Sequence, residues 1–177
     1  MSEASHLVLM AEYNQLMNQR ILSAAKELSH DSLMADKGAF FKSVFGTLNH
    51  ILVGDIIWLK RLSEYAGFRM LLGDLDKINK PERLDSLLFD NLSELENQRV
   101  FLDKLIIKWV AQLSADDLDQ NLAYSNMKGD QFNKRIGDLI LHLFLHQIHH
   151  RGQVSTLLSQ QKIDFGETDL IEIISDN

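Results

Sequence analysis

The chain has 177 residues, 45% hydrophobic and 24% charged, with a formal net charge of −7 and no cysteine. That length and composition suit one globular domain over residues 1–177, able to bury its own core. The acidic balance, without a Lys/Arg cluster, excludes the basic footprint that nucleic acids and anionic membranes select, and the missing cysteines exclude disulfides, thiolate ligands and cysteine nucleophiles.

The opening MSEASHLVLM has no basic stretch leading into an apolar one, so a signal peptide is not expected and a cytoplasmic location is. One proline and nine glycines leave little punctuation, which predicts long helices joined by few turns. The first is expected from Ser5 to Leu28, with Leu7, Met10, Ile21, Leu22 and Ala25 on its apolar side. The second is expected from Lys37 to Tyr65. The third should start after Pro81 and run to Leu113, with a break near Asp90-Asn91. Its apolar residues Leu92, Leu95, Leu102, Ile106, Trp109, Val110 and Leu113 recur at three- and four-residue spacing. Between Asp116 and Arg135 the pattern changes: Leu122-Ala-Tyr124 and Gln131-Phe132 flank a turn signal at Gly129, which predicts a short hairpin. The fourth long helix is expected from Lys134 to Gln161, with a short one at Asp169 to Ile174. The expected fold class is all-α, an antiparallel four-helix bundle with a long, hairpin-containing connection before the last long helix.

The fourth helix carries HLFLHQIHHRGQ, in which His142, His146, His149 and His150 are four of the chain's seven histidines. At ~100° per residue, with His142 at zero, Leu139, Leu143, Val154, Leu157 and Leu158 occupy an arc from roughly 60° to 160°. His150 falls inside this arc near roughly 80° and His146 at its border near roughly 40°. Residues four apart share a helix face, so His146 and His150 can converge on one ion. The other reading is a pair of buried histidines hydrogen-bonded to neighbours. A second stripe, Leu141, Phe144, Leu145 and Ile148, lies on the opposite side and suggests a homodimer or burial within one subunit. On the second helix Val44, Leu48, Ile51, Leu59 and Leu62 mark the core face, and by periodicity Asp55 is nominated as readily as His50.

Thr47-Leu48-Asn49-His50-Ile51-Leu52 together with His146-Gln147-Ile148-His149-His150-Arg151-Gly152-Gln153 resembles the DinB/YfiT-like family of metal-binding four-helix bundles. Further likenesses are Tyr13-Asn14, Asn18, Asp55 to Arg61, Arg99 with Asp103, and Tyr124 to Gly129. The resemblance implies a divalent metal held by His50, His146 and His150, with His142 and His149 flanking. Zinc is the first expectation and nickel the second. It also makes possible chemistry with a low-molecular-weight thiol, since related bundles include thiol-dependent transferases and an isomerase of maleylpyruvate. Three protein ligands plus an open position is the pattern of catalytic rather than structural zinc. The expectation is therefore a metal-dependent transferase or hydrolase acting on a small molecule, against a non-catalytic metal-binding stress-response protein or a helical dimer with structural histidines. Asp55 is the candidate general base, with a role orienting a histidine or ion-pairing Arg61 or Arg99 as alternatives.

Overall fold

The computed structural model describes residues 2–174. The chain forms helices α1 (Glu3–Ala25), α2 (His30–Met34), α3 (Val44–Leu62), α4 (Leu92–Val110), α5 (Ala115–Asp119) and α6 (Ile136–Gln160). Strands β1 (Asn121–Ser125) and β2 (Gln131–Arg135) pair antiparallel between α5 and α6, with Tyr124 opposite Phe132. The molecule is thus mostly helical, with one small two-stranded sheet.

Helix starts follow a local rule. The first backbone N–H groups of a helix lack intrahelical acceptors, so a short polar side chain just ahead of the helix supplies one. Ser2, Ser29, Ser43, Asn91 and Ser114 each accept from the N–H three residues on. Helix α6 has no side-chain cap. Its first N–H, of Ile136, donates instead to the carbonyl of Gln120 at 2.8 Å, tying the helix directly to the segment before the hairpin.

Helix ends shift by a few residues throughout, and two helix starts move further, both in ways that build the site. Helix α3 begins at Val44 rather than Lys37, because Lys42 adopts φ 67° and breaks the pattern before the Ser43 cap. Helix α4 begins at Leu92, just after the break expected near Asp90-Asn91, and the stretch from Pro81 to that break is not helical. The stretch before it stays irregular because its backbone bonds side chains of α3: Leu88 N–H donates to Asn49 Oδ1 at 2.8 Å, and the Leu84 carbonyl faces His50 Nδ1 at 2.8 Å. The short helix expected at the tail is present as a 3-10 helix over Leu170–Ile173, flanked by Asp169 and Ile174.

The four long helices close a ring of contacts, α3 on α6, α6 on α1, α1 on α4 and α4 on α3. Phe45, Trp109, Phe144 and Met17 are among the largest side chains sealed inside it. Phe144 is fully buried, which removes it from the outer stripe read on α6. Leu141 and Leu145 remain 46% and 52% exposed, and Ile148 is half-buried. Among the described residues no helix is long and apolar enough to cross a membrane.

Candidate metal centre

Helix α3 is buried on nearly every side, from Val44 through Leu62. Where almost every position is buried, lying on or off the apolar stripe does not tell a ligand from a core polar residue, so spacing could not rank His50 against Asp55. Packing separates them. His50 faces α6, and its ring atoms meet those of His146 and His150, so that one nitrogen from each of the three lies within 4.8 Å of the others. Asp55 is not in this group.

The three rings present the same nitrogen to one another. His50 Nε2 lies 3.1 Å from His150 Nε2 and 3.2 Å from His146 Nε2. The outward nitrogens of two rings are occupied. The Leu84 carbonyl can only accept, so His50 Nδ1 carries a proton and donates to it at 2.8 Å. His150 Nδ1 donates to Gln153 Oε1 at 2.8 Å, while Gln153 Nε2 donates to His149 Nε2 at 3.2 Å. With Nδ1 protonated, neutral His50 and His150 turn bare Nε2 lone pairs toward each other, and His146, whose Nδ1 has no partner among the described residues, brings its Nε2 to the same point. Neutrality is also what burial favours: it lowers His50 to about 4 and His146 to about 3, and lowers His150 as well. Lone pairs converging on one another repel, and a cation between them removes the repulsion. A tetrahedral ion with Zn–N bonds near 2.0–2.1 Å needs ligand nitrogens about 3.3 Å apart, close to the spacing found. The donor set therefore fits a divalent metal.

Two glycines allow this approach. At Gly54 a Cβ would overlap the His146 imidazole, so the bare backbone of α3 is the floor on which that ring lies. At Gly46 a Cβ would collide with the Phe41 carbonyl, so the glycine lets the 39–42 turn fold back over the start of α3. That turn stacks the Phe41 ring on His50, with centroids 3.7 Å apart and planes 16° from parallel. Neither signal is readable without knowing which segments meet.

Of the remaining candidates, His142 and His149 are exposed and line the cavity beside the cluster without joining it. His142 packs edge-on against Trp58 at 5.1 Å. Asp55 is 0% exposed and ion-paired to Arg99, which also reaches Asp103 at 3.0 Å. Burial pushes the Asp55 carboxyl up to about 6, with Arg99 pulling against it. Asp55 does not line the cavity, so of the alternatives left open for it the structure displays the pair with Arg99.

The histidine cluster forms part of the wall of a cavity of about 630 Å³. Phe41, Ile57, Trp58 and Arg61 supply more of the wall, and the hairpin turn brings Asn126, Met127 and Lys128. Gln153 was legible as part of the histidine motif, three residues after His150; Leu84 and Phe41 carried no signal, because they arrive from irregular segments.

A mostly helical protein with two buried histidines and a half-buried third meeting beside an open cavity defines a class, helical proteins with a candidate metal site. Residues 1–163 match the family model described as "DinB family". The chain belongs to the DinB family. It is also similar to Protein DinB of Bacillus subtilis (strain 168), at 24% identity over 163 residues, covering 89% of this chain and 87% of that protein.

Proposed function

We propose that this protein is a metal-dependent enzyme of one domain, a four-helix bundle formed by α1, α3, α4 and α6, acting on a small molecule at His50, His146 and His150. The observation that carries this reading is the convergence of three Nε2 atoms beside a cavity large enough for a substrate. A site that served only to staple the fold would be closed by a fourth protein ligand. Here the described residues offer no fourth His, Asp or Glu to the group.

A divalent ion held by three neutral imidazoles keeps its full charge and an open position, and when bound it would activate a water or hold a small thiol as thiolate. The protein's own part is orientation and dryness. The Leu84 carbonyl and Gln153 hold two rings by their outward nitrogens, and Phe41 covers one face of His50. The chain has no cysteine, so a thiol nucleophile would enter as a cosubstrate. Zinc is the first choice of metal and nickel the second, all-nitrogen ligation being open to both. The reaction class is transfer with a small thiol, or hydrolysis.

The test is metal content of untagged protein, followed by titration with zinc and nickel. Stoichiometric binding supports the reading. Substoichiometric content with none taken up on titration would leave the histidines as a structural cluster. A non-catalytic metal-binding stress protein is the second reading, favoured because no Ser, Thr, Asp or Glu among the described residues lines the cavity.

A further inference from the structure

The chain carries 25 acidic and 18 basic residues, yet among the described residues no Asp or Glu lines the cavity beside the histidines. Its two charged wall residues are Arg61 and Lys128, both cationic. A wall drawn evenly from this chain would carry acids in excess, so the cavity reverses the sign of the molecule around it. Fields focused in such a concave, low-dielectric site concentrate ligands of the opposite charge.

Arg61 is the unusual member. It is only 8% exposed, and its Nε has no hydrogen-bond partner among the described residues. Its guanidinium lies over the Trp58 ring at 4.7 Å and the Tyr124 ring at 5.2 Å. Tyr124 arrives on β1, so the hairpin completes this aromatic clamp. Burial lowers the Arg61 pKa while Tyr124 and the exposed Glu64 pull it back, and Glu64 makes no ion pair with it. Buried cations are normally paired, and the common partner of an arginine is a carboxylate that takes two parallel N–H bonds. Stacking on aromatic faces stabilises the cation and leaves its N–H edge free for such a partner.

The placement gives a direction to the ligand. His50, Gly54, Ile57, Trp58 and Arg61 recur at three- and four-residue spacing along one face of α3, all lining the cavity. The guanidinium is turned back over Trp58, eight residues beyond His50, which at 1.5 Å per residue sets it on the order of 10 Å from His50 along the helix, with the His146 ring nearer, over Gly54. Between the two lie Ile57 and Trp58, a largely apolar wall with His142 edge-on against Trp58.

We propose that the cavity takes a small organic carboxylate, with its carboxylate on Arg61, its apolar or aromatic body along Ile57 and Trp58, and its reacting group at the histidine cluster. This rests on the functional reading above for the last of these three contacts only.

The experiment compares phenylbutyrate with its neutral amide, phenylbutyramide, by calorimetry on metal-free protein, where a carboxylate has no ion to ligate. Wild-type protein should bind the carboxylate about tenfold or more tightly than the amide, as expected for a charge-assisted pair. Arg61→Met keeps the apolar stem and should bring the ratio close to one while leaving amide binding nearly unchanged. On the unaltered protein, phenylglyoxal labelling of Arg61, followed by peptide mass, should be slowed by the carboxylate and not by the amide. This arm holds even where Arg61→Met folds poorly. No preference in the wild type, an undiminished ratio in Arg61→Met, or labelling indifferent to the carboxylate would each overturn the proposal, leaving Arg61 a purely structural cation. A carboxylate preference in a protein that takes up no metal would sink the metal reading and leave this one standing; metal uptake without the preference does the reverse.

Discussion

His50, His146 and His150 each supply one nitrogen to the cluster, and removal of any one takes away a ligand and loosens the other two. Alanine at each position should weaken metal affinity by about 10- to 100-fold or more, measured by competition with a chromogenic chelator. His6→Ala and His30→Ala, at exposed sites elsewhere, should leave it unchanged. Gly54→Ala makes a sharper demand. Its added methyl would occupy the place of the His146 ring, and because the obstruction is a side chain the ring can swing away. The expected result is a folded protein, with helical circular dichroism retained, whose metal affinity falls like that of His146→Ala. Unchanged affinity would mean that His146 does not use the position found here.

At the scale of elements, a buried polar network ties the four long helices together and sets the rotation of α6. Asn18 of α1 donates to Asp103 of α4 at 3.0 Å and to Gln147 of α6 at 3.1 Å, and Arg151 of α6 donates to Asn18 at 3.1 Å. Asp55 of α3 enters through Arg99. Gln147 and Arg151 each follow directly after a histidine of the cluster, so the network holds one side of α6 while the histidines present the other. Orphaning a buried charge costs about 3–5 kcal/mol, and losing Asp55 removes one of the two carboxylates that share Arg99, so part of that cost is expected while Asp103 keeps the other contact. Asp55→Ala should therefore lower the melting temperature, read by scanning calorimetry, while metal stoichiometry in the folded protein is retained. Intact stability with loss of turnover would instead make Asp55 the base.

For the whole molecule, the histidine cluster couples stability to acidity. Burial holds His50 near 4 and His146 near 3, below the ordinary imidazole value, so the metal-free fold resists protons that the unfolded chain accepts. This stability is complete above about pH 6.5 and is lost as the pH falls toward those two values. Metal binds only the folded, deprotonated cluster. Loaded protein should thus melt above chelator-treated protein at neutral pH, and the gap should close in acid. A melting temperature indifferent to chelator at neutral pH would show that no ion of thermodynamic weight is held. The homodimer is a proposal on narrower ground than the α6 stripe first suggested, since Phe144 packs inside and Leu141 and Leu145 are left outside. A dimer mass by light scattering at micromolar concentration is the expected outcome, and a monomer mass would end it.

How much was legible from the sequence follows from which interactions are local. Long helices, the hairpin around Gly129 and the four-residue spacing of His146 and His150 all depend on residues near one another in the chain, and all could be read there; the Ser and Asn caps are equally local, yet the starts expected at Lys37 and after Pro81 passed over Ser43 and Asn91. The third histidine could not be derived that way. Helix α3 is buried at almost every position, so lying on or off its apolar stripe did not choose between His50 and Asp55, and only the likeness to a family pointed to His50. The partners that orient and cover the cluster stayed hidden for a related reason. The Leu84 carbonyl and Phe41 come from irregular segments brought over α3 by folding, Gly54 matters only because α6 lies against it, and Arg61 meets Tyr124 across a long stretch of chain. Short-range pattern records which face of a helix is apolar, whereas the neighbour on that face is decided by tertiary packing alone.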